Sequence, residues 1–286
     1  MEKWLNRLNR VRPGALANSV RVAVQNDPLV AAWARSGHIQ KNWGDALNPV
    51  LIEMVSGRVP YHSGELINIR SRPVYYVIGS GLGNINSQSA QVWGMGFRTE
   101  QAVPKVKPAK IHAVRGPLSR KKYLEAGIDC PEIYGDPALL FPRFYNPVIE
   151  KRHAVGVIAH ISERESPYVK QLVEGEGAKF IDVTLGVNEF VDELLACSTI
   201  VSSSLHGLIA ADGYGVPSVW ASFGEKPESW FFKFRDYMES TGRSVKNPVK
   251  MTSETKLSEL LDHTCDGPLG VDIDRLLECC PFRSAN

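Results

Sequence analysis

Residues 199–221 read TIVSSSLHGLIAADGYGVPSVWA, and this stretch decides the fold. Thr199 to Val201 is a short β-rich run that predicts a strand. Leu205 to Tyr214 predicts a helix, and Val216 to Ala221 predicts a second strand. Strands alternating with helices in this way build parallel sheets with helices on their faces. The turn between the first strand and the helix is Ser202-Ser203-Ser204, followed by Leu205-His206-Gly207.

The same alternation extends in both directions. Upstream, Ala154 to Ala159 predicts a strand, Tyr168 to Val173 a helix and Phe180 to Val183 a strand. Asn188 to Cys197 predicts an amphipathic helix with Phe190, Val191, Leu194 and Leu195 inward. Downstream, Leu257 to Leu261 and Asp274 to Cys280 read as helices. Arg143 to Arg152 carries Pro147, several charges and no periodicity, which marks a linker. Before it the alternation is present again. Ala46 to Val55 is a helix, Val74 to Ile78 (VYYVI) a buried strand, and Ile111 to Val114 another. Pro117 opens a helix through Leu124 that Gly127 closes, and Ile133 to Tyr134 is a short strand. The expectation is an α/β protein of two Rossmann-like parallel-sheet domains, 1–150 and 151–286, facing each other across a cleft. Ligands in such folds bind beyond the carboxyl ends of the strands.

Composition removes several classes. The chain has 286 residues, 43% hydrophobic and 22% charged, with a net charge of +2. These are ordinary globular values and exclude a disordered tail, a collagen and a coiled coil. The near-neutral balance gives no reason to expect nucleic acid. The five cysteines, Cys130, Cys197, Cys265, Cys279 and Cys280, form neither a disulfide framework nor a zinc spacing, which fits a reducing cytoplasm. No run is long and apolar enough for a membrane span. The amino-terminal arm sets Lys3, Arg7, Arg10, Arg12 and Arg21 near Trp4, Leu5 and Leu8. It reads either as a solvated basic arm or as an amphipathic helix making peripheral contact with an anionic membrane.

Common motifs fail here. Gly79-Ser80-Gly81-Leu82-Gly83 follows a strand, but Asn84 stands where the dinucleotide fingerprint needs glycine. There is no phosphate-binding GK[ST] loop, no HExxH, no GxSxG elbow and no metal-ligand pattern. Two strand-to-helix junctions say more: Arg115-Gly116 before Pro117, and Ser202 to Gly207. Each would suit an anion, through helix N–H groups, serine hydroxyls and a guanidinium fork. The alternative is a plain N-cap by Ser203 or Ser204 and a structural Arg115.

Taken together, seven segments resemble the polysaccharide pyruvyl transferase family: Asn42-Trp43-Gly44-Asp45-Ala46-Leu47-Asn48-Pro49, Gly79-Ser80-Gly81, Val114-Arg115-Gly116-Pro117-Leu118-Ser119, Gly135-Asp136-Pro137-Ala138, Gly156 to His160, Ser202 to Gly207, and Phe232 to Tyr237. The last looks like the bacterial exopolysaccharide branch. The resemblance implies a fold similar to glycosyltransferase type B enzymes, with the first domain on the acceptor side and the second on the donor side. It implies phosphoenolpyruvate as co-substrate, no resident cofactor or metal, and a cyclic pyruvate ketal formed on a saccharide, with phosphate released. The acceptor, if lipid-linked, would bring a cytoplasmic enzyme to the inner face of the plasma membrane.

By the same resemblance, Arg115 binds donor phosphate or carboxylate and His206 is catalytic. Ser203, Ser204, Gly207, Lys233 and Arg235 join the expected donor site. Ser204 stands where some relatives carry arginine, and Lys226, Lys233 or Arg235 would supply that charge. Asp45 is an N-cap, a binder of acceptor hydroxyls or the catalytic base. Asn42, Gly79, Ser80 and His160 are candidate cleft residues. Arg235 and Asp236 read as a surface pair, and Trp93, Trp220 and Trp230 as sugar platforms or packing. The rivals are a nucleotide-sugar glycosyltransferase and a non-catalytic carbohydrate-binding protein.

Overall fold

A computed structural model describes residues 15–25, 27–35, 42–67, 72–244 and 247–284. Most of the basic amino-terminal arm lies outside the described residues; of its cations Arg21 sits on helix α1 (Ala15–Val24). The first sheet comprises β1 (Val30–Ala32), β2 (Tyr61–His62), β3 (Val74–Tyr76), β4 (Ala90–Trp93) and β5 (Lys110–Ala113). They run parallel in the order β2-β1-β3-β4-β5. The second sheet comprises β6 (His153–Ile158), β7 (Lys179–Phe180), β8 (Cys197–Ser202), β9 (Ser218–Ser222) and β10 (Val249–Lys250). Its order, β10-β9-β8-β6-β7, is also wholly parallel.

Counted within each sheet, both orders are 2-1-3-4-5. The strand order therefore reverses between β1 and β3 in one sheet and between β6 and β8 in the other. Helices α2 (Trp43–Ser56) and α3 (Pro117–Glu125) belong to the first half. The second half carries α4 (Pro167–Lys170), α5 (Val187–Leu195), α6 (Leu205–Gly213), α7 (Phe232–Ser240), α8 (Leu257–Leu261) and α9 (Ile273–Glu278). All five residues of β9 are buried, as expected of a strand covered on both faces.

The start of α2 shows how local sequence places a functional segment. Asn42 caps the helix by accepting a hydrogen bond from Gly44 N, and Gly57 ends it in the left-handed region at φ 67°. Pro49 lacks an N–H and so leaves the carbonyl of Asp45 without its helical donor. The buried amide of Asn48 lies 3.5 Å from that oxygen and donates to Gly44 O at 3.2 Å. It also exchanges two hydrogen bonds with the backbone of Ile78, just after β3. Asn48 thus fixes the first turn of α2 against the carboxyl end of β3.

The carboxyl-terminal segment returns to the first half. Trp93 on β4 donates from Nε1 to Leu276 O at 2.8 Å, and its ring meets Phe282 edge-on at 5.3 Å. Phe282 also meets Tyr75, and Ser284 N donates to Val55 O. The two sheets lie on either side of residues 144–152, but the last helix packs on the sheet made first.

Several elements differ from expectation. The stretch Phe180 to Val183 is strand only at Lys179–Phe180, and Ile133-Tyr134 contributes a single bridge to Val114. The helix expected at Tyr168 to Val173 is one α turn followed by a π turn, Gln171–Gly175. Strands β1, β2, β4 and β10 were not anticipated. They are two to four residues long, too short to establish a periodicity of their own. All five cysteines are free. Among the described residues no helix is long and apolar enough to cross a membrane.

Candidate active site

A cleft of about 350 Å³ opens where the two reversals of strand order face each other. Each of the four strands concerned supplies its carboxyl end. Trp33 and Ala34 follow β1, Ile78 to Gly81 follow β3, His160 and Ile161 follow β6, and Ser204 to His206 follow β8. This is where an open parallel sheet leaves a crevice. Asn42 at the cap of α2, Asp45 from its first turn, Arg98 from the loop after β4, and Lys233 from α7 complete the polar lining.

His206 lies on the first turn of α6, its side chain 12% exposed. Burial, then the nearby Lys233 and Arg115, pull its pKa down to about 3, so the imidazole is neutral at physiological pH. The ring packs against the start of α2. A Cβ on Gly44 would stand 2.1 Å from His206 Nδ1, which leaves room for glycine alone. Asp45 is partly buried on the cleft wall. Burial pushes its pKa up to about 7 against the opposing pull of Lys233 and Arg98. It is not the helix cap, since Asn42 fills that role.

Lys233 is buried and its pKa falls to about 7, chiefly through burial and then through Arg98 and Arg115. Its ammonium sits 4.3 Å from the centre of the Trp230 ring. Arg98 and Lys226 approach the same ring at 5.7 Å and 5.4 Å. Three cations thus surround one indole at the edge of the cleft. Among the described residues Arg98 makes no ion pair. Lys226 faces Glu163 at 3.6 Å and donates to Ser162 Oγ. His160 packs edge-on against Trp230, and burial followed by the three cations pulls its pKa down to about 3.

The serine run is divided in its uses. Ser202 Oγ donates toward Ile158 O and Ser204 O and accepts from Ser204 N, and Ser203 Oγ accepts from His160 N. These two tie the ends of β6 and β8 together and do not face the cleft. Ser204 occupies the N-cap position of α6 but makes no side-chain cap hydrogen bond. Its buried side chain lines the cleft instead. Gly207 is a packing residue, as a Cβ there would meet Ser202 Oγ at 2.5 Å.

Arg115 is placed differently from expectation. It is fully buried and spends its guanidinium on the protein. Nε and Nη2 bind Asp236 at 3.0 Å and 2.9 Å, Nη1 donates to Ser80 Oγ and Gly79 O, and Nη2 donates to Phe97 O. With its fork so occupied it braces the Gly79-Ser80 turn from behind and does not line the cleft. Asp236 does not pair with Arg235; it accepts from Ser119 N and Ser119 Oγ as well as from Arg115. Arg235 binds Glu228 and Asn247, away from the cleft. Trp93 and Trp220 are core residues.

Of the residues expected from sequence, Asn42, Asp45, Gly79, Ser80, His160, Ser204, His206 and Lys233 come together. Arg115, Ser203, Gly207 and Arg235 do not reach the cleft. Sequence reasoning missed Trp33, Tyr76 and Arg98. Arg98 carries no local pattern; it follows Phe97, whose carbonyl Arg115 holds.

Residues 85–223 match the family model for polysaccharide pyruvyl transferase. The match bears out the resemblance over that segment, which holds the motifs at 114–119, 135–138, 156–160 and 202–207; those at 42–49, 79–81 and 232–237 lie outside it. The chain is 28% identical over 246 residues to an uncharacterised protein, L143, of Acanthamoeba polyphaga mimivirus, covering 82% of this chain and 83% of that one. It is 25% identical over 171 residues to the succinoglycan biosynthesis protein ExoV of Rhizobium meliloti (strain 1021). That match covers 57% of this chain and 52%, about half, of the relative. The matched segment carries β4, the Arg115 brace, the Asp136 turn, His160 and His206. Asp45 and Lys233 come from outside it.

Proposed function

We propose that the chain is an enzyme that transfers the pyruvyl unit of phosphoenolpyruvate to two hydroxyls of one hexose. The acceptor is an exopolysaccharide or its lipid-linked repeat unit, and the products are a cyclic ketal and free phosphate. Pyruvyl transfer to a polysaccharide is the activity for which the matched family is named. The finer reading rests on one observation: two cations, Lys233 and Arg98, meet two proton-carrying groups, Asp45 and His206, in one cleft.

The chemistry needs such a set. The donor carries a phosphate and a carboxylate, and cationic side chains with oriented N–H groups recognise both. Lys233, Arg98 and the first turn of α6 beside Ser204 would hold them. Asp45, with a pKa near 7, still carries a proton at neutrality and would deliver it to the methylene carbon. The double-bond electrons take that proton, the methylene becomes a methyl group, and the adjacent carbon becomes oxocarbenium-like. The first sugar hydroxyl bonds to that carbon and gives its proton to neutral His206. The carbon–oxygen bond to phosphate then breaks, and phosphate leaves with the bonding electrons and the proton from His206. The second hydroxyl closes the ketal and returns a proton to Asp45. Both groups end as they began.

The test is phosphate release from phosphoenolpyruvate in the presence of saccharide acceptors, together with thermal unfolding in phosphoenolpyruvate and, in parallel, UDP-sugars. A ligand that binds only the folded chain raises the midpoint. A midpoint rise with phosphoenolpyruvate and acceptor-dependent phosphate release are expected. A rise with UDP-sugars alone would sink the reading in favour of a glycosyltransferase.

A further inference from the structure

Asp136 is fully buried, at the turn that precedes the 3-10 segment Pro137–Arg143. One carboxylate oxygen, Oδ1, caps that segment by accepting from Ala138 N at 3.0 Å. The other, Oδ2, is sealed from solvent and has no hydrogen-bond partner. His206 Nε2 is in the same condition, and the two atoms face each other at 3.8 Å. Buried polar atoms in native proteins are almost always satisfied, so a facing pair of orphans needs an explanation. The separation is too long for a hydrogen bond, but a shift of under 1 Å would make one.

We propose that Asp136 is the positioning residue for His206, holding the proton on Nε2 and leaving Nδ1 as the nitrogen that takes the acceptor's proton. The inference rests on the role given to His206 above. Geometry supports the division of labour: Nε2 is sealed and faces Asp136 Oδ2, while Nδ1, on the side of the ring packed against Gly44, is not among the sealed, unpartnered atoms. When His206 takes a proton it becomes an imidazolium in a buried site, and a carboxylate at Oδ2 offsets that charge. A carboxylate and an imidazole divide the work in this way in hydrolase triads.

Other charged groups bear on the pair from every side. Lys233 from α7, Arg115 from the start of α3 and His160 from the end of β6 all disfavour protonation of His206. Burial raises the pKa of Asp136 to about 7, and the Ala138 N–H, the Arg115 charge and the Gly79 N–H oppose the rise. Asp45 from α2 and Tyr237 from α7 also sense the Asp136 charge. Asp136 is therefore set against a cationic surround in which His206 alone could not hold a proton.

The test uses the full chain with nitrogen-15-labelled histidine. In the unaltered protein at pH 8, ring-nitrogen shifts should report His206 with its proton on Nε2; a proton on Nδ1 overturns the proposal, and this arm needs no variant. Asp136→Asn keeps an oxygen for Ala138 N and removes the charge. It should abolish the Nε2–H preference and lower kcat by about 10²–10³-fold, with KM for phosphoenolpyruvate within about twofold. The acid side of the pH–rate profile, expected near pH 7, should flatten in the variant. Unchanged His206 shifts, or a change confined to KM, would overturn the proposal. If the unaltered protein releases no phosphate from phosphoenolpyruvate yet its His206 shifts respond to Asp136→Asn, the functional reading fails and the pairing stands.

Discussion

Arg115 and Asp236 form an ion pair with both side chains fully buried, Nη2 to Oδ2 2.9 Å apart and 121 residues apart in sequence. It joins the end of the first sheet's last strand to α7, the helix that carries Lys233 into the cleft. Removing one partner strands the other charge in the interior. Asp236→Ala or Arg115→Ala should therefore lower unfolding stability by about 3–5 kcal/mol, read from urea melts. Arg115→Lys should recover little, because an ammonium cannot bridge Asp236, Ser80 and Phe97 at once. A loss under about 1 kcal/mol for either alanine variant would contradict the pairing.

Gly44→Ala should displace the His206 ring, since the new methyl would overlap Nδ1. Strain of this kind costs about 1–3 kcal/mol, so the fold should survive. Turnover should fall by at least about tenfold, the equivalent of 1.4 kcal/mol in the barrier. Wild-type turnover in a folded Gly44→Ala protein would show that the ring has no fixed role.

Arg98→Ala removes an exposed cation that has no ion-pair partner among the described residues. Stability should stay within about 0.5 kcal/mol. The affinity for phosphoenolpyruvate should fall by about 10–100-fold, as for a lost charge-assisted contact. Equal binding curves would remove Arg98 from the site.

Asp45→Asn makes a prediction about pH. Asp45 is protonated in the native protein up to about pH 7 but ionises near 3.8 when unfolded. Between these values the native state holds the extra proton, so the stability it lends falls as pH rises. The asparagine variant lacks that loss. Its advantage over the wild type should grow from about pH 4 to pH 7 and level off above, on the order of 4 kcal/mol. A difference independent of pH would mean that Asp45 is ionised throughout.

The α/β alternation could be seen in the sequence because the longer strands of parallel sheets are continuous apolar runs and the helices carry caps. Val74 to Ile78, Ala154 to Ala159 and the stretch from 199 to 221 show this. The strands of two to four residues could not be seen, since Val30–Ala32 owes its state to β2 and β3 on either side and not to its own pattern. The cleft was legible wherever a motif sits at a strand end, as with Gly79-Ser80 and Ser204 to His206. Arg115 shows the limit. Its place after a strand and before a helix suggests an exposed fork, and only the fold reveals Asp236 arriving from α7 to occupy it. Arg98 and Trp33 were missed for the converse reason: nothing near them in the chain signals that the other half lies opposite.

The return of the chain's last helix to the first sheet bears on the order of events during synthesis. Trp93 waits for a carbonyl 183 residues later, and the ring of Phe282 closes over Tyr75 and Trp93 only when the final segment has emerged from the ribosome. The amino-terminal half is thus the first to be made and the last to be completed. Until then the rings of Tyr75 and Trp93 lack the Phe282 contact that covers them.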